Sequence, residues 1–379
     1  MTVVEKSTTG AKLPLDSLEI KGYRCFKELT IPKLARVNLI TGKNNVGKTS
    51  LLEAVHLWAR RGSPEAVWEI LSSREGAFVH AAPTSNDVLD ALARIFNSGS
   101  SAFARTVYGT SASTYLLSDG ELPAAVIGWR SPMGPSKILE LKIYRPEPQS
   151  VNPIGLFPTF RDNDGIIGHQ SQVYSLQRVI DSDRHVWDQK DSTPCLFCGP
   201  RGMSAGRNGI LWDNIALSPR KVDVIAGLSI IQPVEDVGLF GEPGVGLGRV
   251  LYTRLGGDAM PRPLSGLGDG MTRAFGIFLA LVNSTDGILL LDEVETGLHY
   301  SVLTDVWKTI FELANRLNVQ VFATTHSWEC IQAFQEALWS SDENDGELIR
   351  LESKDDLIKS TVFNKRSVKV VAEDWIEVR

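Results

Sequence analysis

Short apolar runs alternate with amphipathic stretches along much of this chain, and their spacing predicts an α/β protein. Leu18-Glu19-Ile20-Lys21 alternates apolar and polar residues, the period of a half-buried strand. Residues 22–26 follow as a turn, with Leu29-Thr30-Ile31 as the hairpin partner. Val37-Asn38-Leu39-Ile40 is a short apolar run of the kind a buried strand carries, and residues 51–61 carry apolar positions at helical spacing. Farther on, residues 250–255, 287–291 and 319–324 read as strands. Residues 219–225, 271–282, 301–317 and 328–337 read as helices. Strands that are apolar on both faces and separated by helices specify a mostly parallel sheet covered on both sides.

Between residue 62 and about 195 the pattern is less regular. Residues 67–71 and 88–96 have helical spacing, whereas Ala124–Trp129 and 138–144 have strand character across a turn-rich break at 131–136. Residues 152–168, rich in Gly, Pro and Asp, are expected to form a surface loop, and 193–197 a short strand. No heptads run through this stretch, which excludes a long coiled-coil arm. The expected division is a flexible tail at 1–15, a first core segment at 16–61, an insertion or lid at 62–210, a second core segment at 211–340, and an edge hairpin with tail at 341–379.

Composition narrows the class. The chain has 379 residues, 43% hydrophobic and 22% charged, as in an ordinary globular protein. A net charge of −6 argues against a strong stand-alone nucleic-acid binder, though it is compatible with a local basic groove. No apolar run reaches the roughly 18 residues of a membrane-spanning helix. The polar first twelve residues lack the apolar centre of a signal peptide. A cytoplasmic protein without a membrane partner is expected, and the four cysteines, Cys25, Cys195, Cys198 and Cys330, fit a reducing compartment. Cys195-x-x-Cys198 has the spacing of half a zinc site, but no second C-x-x-C or H-x₃-H pair accompanies it. Both are therefore read as small apolar residues at the end of a strand.

Candidate chemistry begins at Gly42-Lys43-Asn44-Asn45-Val46-Gly47-Lys48-Thr49, which fits the phosphate-loop pattern G-x-x-x-x-G-K-[ST] in the strand–loop–helix setting it requires. Gly42 and Gly47 allow the backbone N–H groups to turn toward phosphate oxygens, and the following helix dipole points the same way. Asn44, Asn45, Val46, Gly47, Lys48, Thr49 and Ser50 are the expected nucleotide contacts. Lys48 is the residue for the β- and γ-phosphates, and the Thr49 hydroxyl a ligand to Mg²⁺. Ile288-Leu289-Leu290-Leu291-Asp292-Glu293 is an apolar strand ending in two acids, the Walker B pattern. Asp292 then holds the Mg²⁺ shell and Glu293 orients the attacking water. Glu295 and His299 are further metal or water contacts, or lie at the edge of a dimer interface. Residues 321–327 form a second apolar strand ending in a polar trio, from which His326 is placed to donate to the γ-phosphate or the attacking water. Residues 264–271 form a Gly-rich turn opening a helix, a second anion-binding helix terminus.

The order of these segments resembles the ATPase heads of the ABC superfamily, and more narrowly the SMC/RecF/OLD branch of AAA-type ATPases. The resemblance rests on residues 18–26, 42–49, 263–273, 291–300 and 323–328, with further similarity at 194–203 and 211–231. It implies an α/β P-loop NTPase with an ABC-type head, a mostly parallel sheet flanked by helices, an N-terminal antiparallel β lobe and a mixed insertion. It also implies ATP and Mg²⁺ as cofactors and a head-to-head dimer, in which the Gly-rich turn reaches the γ-phosphate on the partner's phosphate loop. Gly268 stands where the usual signature serine would be, so that contact falls to backbone N–H groups around Gly268, Asp269 and Gly270, or to Ser265 in a shifted register. Arg24 resembles the family's residue near base and phosphates. Arg201 lines the site or forms a surface ion pair, and Gln170 and Gln172 are equal candidates for the Q-loop. Relatives often carry a TOPRIM nuclease domain after the ATPase. The stretch following the last helix is short, so the expectation is a separate nuclease or toxin effector, with DNA as a possible ligand. The functional expectation is an ATP-hydrolysing switch in DNA processing or antiphage defence. The alternative is a nucleotide-binding subunit of a membrane transporter, and a scaffold without turnover is disfavoured by Glu293.

Overall fold

The computed structural model describes residues 13–74, 124–129, 137–144, 155–162, 165–166, 174–175, 193–241 and 249–368. The helix expected at 88–96 and the glutamines at 170 and 172 lie outside them.

The chain opens with an antiparallel hairpin of β1 (Leu18–Tyr23) and β2 (Phe26–Ile31), then enters β3 (Val37–Thr41) and helix α1 (Lys48–Ala59). Helix α2 (Pro64–Arg74) follows. Strands β4 (Ala124–Trp129), β5 (Lys137–Tyr144), β6 (Gly155–Asp162), β7 (Gly165–Ile166) and β8 (Tyr174–Ser175) extend the hairpin into one antiparallel sheet ordered β2-β1-β4-β5-β6-β7, with β8 also on β6. The N-terminal lobe and the described strands of the insertion are thus one sheet, because β1 pairs with β4.

The expected loop at 152–168 is a strand over much of its length. Residues 155–161 of β6 pair with β5 and Asp162 with Gly165 of β7, and Pro158 stands opposite Leu141. On the other side β8 pairs with residues 155–156 and β7 with 161–162, so Pro158 falls where the described strands offer no second partner. An edge position of that kind is where a strand tolerates proline.

The second sheet is built from β9 (Cys195–Cys198), β13 (Ile288–Leu291), β14 (Gln320–Thr324), β15 (Gly346–Lys354) and β16 (Leu357–Phe363), with β3 among them. Its order is β16-β15-β3-β14-β13-β9, parallel except for the terminal β15–β16 hairpin. Strand β9, inside the 62–210 stretch, is therefore a strand of this mostly parallel sheet, paired with β13. A third sheet of β10 (Val234–Gly241), β11 (Arg249–Leu255) and β12 (Arg262–Pro263) packs with α3 (Ala205–Ile215) and α4 (Arg220–Ser229).

The apolar strands are continuous because each faces two cores. Leu289, Leu291, Val321, Ala323, Val37 and Leu39 join one cluster with helices α5 (Asp269–Asn283), α6 (Tyr300–Arg316) and α7 (Trp328–Trp339). Ile288, Leu290, Phe322 and Ile40 join the other, with α1, α2 and the antiparallel lobe. Cys195 and Cys198, three residues apart on a strand of period two, fall on opposite faces and in different clusters. Cys195 Sγ lies 3.5 Å from Nδ1 of the buried His56, whose Nε2 is 3.0 Å from Glu69 Oε2, tying β9 to α1 and α2. Among the described residues no helix is long and apolar enough to cross a membrane.

Helix α3 was not legible in the sequence, and its start depends on a cap: Ser204 Oγ accepts from Arg207 N at 3.3 Å. Ser204→Ala should lower stability by about 1 kcal/mol, read as an earlier urea midpoint with an unchanged slope.

Candidate nucleotide site

In a parallel sheet the carboxyl ends of neighbouring strands gather at one edge, where ligands bind. Here β3, β14 and β13 are adjacent, and their ends carry the phosphate loop, His326, and Asp292 with Glu293. The loop turns through left-handed backbone at Gly42 (φ 141°), Asn45 (φ 64°) and Gly47 (φ 94°), conformations suited to glycine and tolerated by asparagine. Glycine at 47 is also required by space: a Cβ there would lie 2.4 Å from Cys25 Sγ and 2.7 Å from the Phe26 ring. The β1–β2 turn is thereby packed on the loop. Arg24 in that turn places its guanidinium Nε 2.6 Å from Glu53, an acid on the buried helix α1.

Lys48 is buried, and its ammonium donates to the carbonyls of Gly42 (2.7 Å) and Lys43 (3.0 Å). Burial pulls this lysine below its ordinary pKa, while the charges of Asp292, Glu293 and Glu295 pull the other way. The Thr49 hydroxyl donates to Asp292, at 2.9 Å to one oxygen and 3.2 Å to the other. Thr324 Oγ1 donates to Asp292 Oδ1 at 2.6 Å and accepts from the Glu293 N–H at 2.8 Å. Asp292 is only 5% exposed. A hydroxyl and a carboxylate brought together in this way are hard oxygen donors of the kind Mg²⁺ takes.

Glu293 adopts φ 47°, a left-handed conformation that costs a non-glycine residue on the order of 1–2 kcal/mol. Its Oε1 lies 3.6 Å from His326 Nε2, and both side chains are 38% exposed. The backbone beneath is held by Arg273 of α5, a residue the sequence reading did not single out. Its Nη2 donates to the carbonyls of Asp292 (2.7 Å) and Glu293 (2.9 Å), and its Nη1 to that of Gly199. Glu295 accepts from the N–H groups of His326 and Ser327. His299 caps α6 by accepting from Ser301 N, and its ring lies 4.3 Å from Tyr300.

The Gly-rich turn takes the form of a 3₁₀ turn at Leu264–Leu267, after which Gly268 (φ 95°) opens α5. Ser265, Gly268 and Asp269 are exposed and Gly270 is half-buried. A Cβ on Gly270 would lie 3.1 Å from the Gly297 carbonyl, so the start of α5 packs on the loop after β13. Among the described residues no hydrogen bond or ion pair joins residues 264–271 to the phosphate loop. Arg201 is exposed beside the Gly199–Gly202 bridge.

A solved SMC head bound to the C-winged helix domain of ScpA aligns with 93% of this chain and 99% of its own, at TM-score 0.51 and 12% identity, a likeness of fold. Residues 170–329 match the family described as "AAA domain, putative AbiEii toxin, Type IV TA system", and residues 14–82 the family described as "AAA ATPase domain". An ATP/GTP phosphatase of Helicobacter pylori is 35% identical over 83 residues, 21% of this chain and 22% of that protein. The replication and repair protein RecF of Thioalkalivibrio sulfidiphilus is 44% identical over 43 residues, 11% of this chain and 12% of that protein. The chain spans about a fifth or less of the length of these curated relatives. The two family matches thus divide one nucleotide site between them, the phosphate loop within 14–82 and Asp292, Glu293 and His326 within 170–329, on a fold shared with an SMC head.

Proposed function

We propose that this chain is an ATP-driven switch. Two copies close head to head on ATP and separate after hydrolysis, controlling a DNA-processing or antiphage-defence effector on another chain. The observation that carries the reading is the convergence of Lys48, Thr49, Asp292, Glu293 and His326 at the ends of three adjacent strands. In this reading the N–H groups of residues 44–50 and the Lys48 ammonium hold the phosphates. Thr49 and Asp292 hold Mg²⁺, which supplies charge neutralisation on the phosphate oxygens when bound. Glu293 accepts a proton from water, and His326 steadies the γ-phosphate or that water. Exposure of Ser265, Gly268 and Asp269 at a helix start supports a second copy as the source of the remaining phosphate contacts. The toxin–antitoxin wording of the family matched at 170–329 supports a role in defence.

The test combines phosphate release with light scattering in ATP and in ADP. Expected are slow turnover, dimers in ATP and monomers in ADP. Lys48→Ala removes a charge-assisted contact of about 2–3 kcal/mol and should weaken ATP binding roughly 100-fold, abolishing the dimer. Retention of tight ATP binding by that variant would overturn the site assignment, and a wild-type protein that stays monomeric in ATP would overturn the switch.

A further inference from the structure

His326 is held by its backbone. Its imidazole is 38% exposed, with Nε2 3.6 Å from Glu293 Oε1. Its N–H, by contrast, donates at 2.9 Å to Glu295 Oε1, the only partner of that N–H among the described residues. The same oxygen accepts from Ser327 N at 3.2 Å, and Ser327 is the cap of α7. A carboxylate at a helix start is favoured by the unpaired N–H groups and by the helix dipole. Glu295 itself is placed by a tight turn, in which Thr296 N bonds to Glu293 O (3.0 Å) and Leu298 N to Glu295 O (2.9 Å). The loop after β13 is therefore fastened to the end of β14 and to the loop that follows it, Val294 N also donating to the Thr324 carbonyl at 3.1 Å. Thr324 Oγ1 accepts from Glu293 N at the strand ends, and Glu295 holds the N–H groups one turn beyond.

We propose that Glu295 is a positioning residue that sets His326 against Glu293, deepening the hydrolytic reading above and resting on it. One oxygen of Glu295 already serves two N–H donors, and the other is buried without a hydrogen-bond partner among the described residues. Neither is arranged to take a proton from water. What the site needs from Glu295 is an acceptor at Oε1 rather than a charge.

That distinction sets the experiment, with the full chain and saturating Mg²⁺–ATP. Glu295→Ala should lower kcat about 10- to 100-fold, the scale of a displaced catalytic group, with KM within about threefold. Glu295→Gln keeps an Oε1 acceptor for both N–H groups and should stay within about threefold of wild type. Glu295→Asp, too short to reach both, should fall between and serves if the alanine variant does not fold. The double variant Glu295→Ala/His326→Ala should be no slower than His326→Ala alone. The His326 imidazole resonances should move in Glu295→Ala and stay in Glu295→Gln, with or without turnover. A glutamine variant as slow as alanine, an additive double variant or an unmoved imidazole would overturn the proposal. A wild type without turnover, or His326→Ala at full rate, would instead overturn the hydrolytic reading, and the imidazole resonances would still decide the positioning role of Glu295.

Discussion

Glu293→Gln should lower phosphate release by at least about 100-fold while leaving ATP binding near the wild-type value. The size follows from what a positioned general base contributes, roughly 10²–10⁴-fold. Glutamine preserves the shape and the left-handed backbone but cannot accept the proton. Glu293 is also placed as a base should be. Its carboxylate is 38% exposed, so water reaches it, and its Oε2 is 3.3 Å from the Thr296 hydroxyl, a weak tether. Its backbone is fixed by Thr324 and Arg273. Because binding rests on Lys48 and the loop amides, loss of turnover with retained binding should accumulate the ATP-bound dimer on a sizing column. Equal rates in variant and wild type would remove Glu293 from the reaction.

What the sequence disclosed follows from where side chains carry the information. Strands β3, β13 and β14 were legible because both faces are buried and the runs are mostly apolar. Helices α6 and α7 were legible because their apolar stripes keep a period near 3.6, and α5 because its apolar run is of helical length. Strand β6 was not, because Gly155, Pro158 and Asp162 read locally as loop residues while pairing with β5 overrides that preference. Helix α3 hides in the same way: Arg207, Asn208, Asp213 and Asn214 outweigh a narrow stripe of Leu211, Trp212 and Ile215. In the candidate site, residues whose own chemistry is the signal stood out, as at Lys48, Thr49 and the Asp292-Glu293 pair. Arg273 binds main-chain atoms of its neighbours, and such partners leave no mark in residue type; Glu295 was marked by its acid, but its main-chain partners were not. A charged residue amid the apolar positions of α5 was the one available clue to Arg273. For Glu53, in the buried helix α1, the clue was of the same kind.

Arg273→Met should destabilise the protein by about 1–3 kcal/mol and depress turnover with it. The guanidinium is 5% exposed and supplies the carbonyls of Gly199, Asp292 and Glu293, drawing the ends of β9 and β13 onto α5. Methionine fills much of the volume but leaves the Asp292 carbonyl without a donor among the described residues, at about 1–3 kcal/mol in a dry site, while the Gly199 and Glu293 carbonyls each keep one backbone donor, Gly202 N and Thr296 N. Catalysis should fall further than stability alone dictates. The strained φ of 47° at Glu293 persists only while its surroundings hold it, and Arg273 is bonded to that residue's own carbonyl. Arg273→Lys separates the two effects. A single ammonium keeps the charge yet cannot span carbonyls on both strand ends, so it should recover part of the stability and little of the turnover. Urea midpoints and phosphate release, measured on the same preparations, give both quantities. A methionine variant with an unchanged midpoint would mean that these carbonyls are satisfied without the guanidinium. A lysine variant with full turnover would mean that charge alone holds the backbone of Glu293.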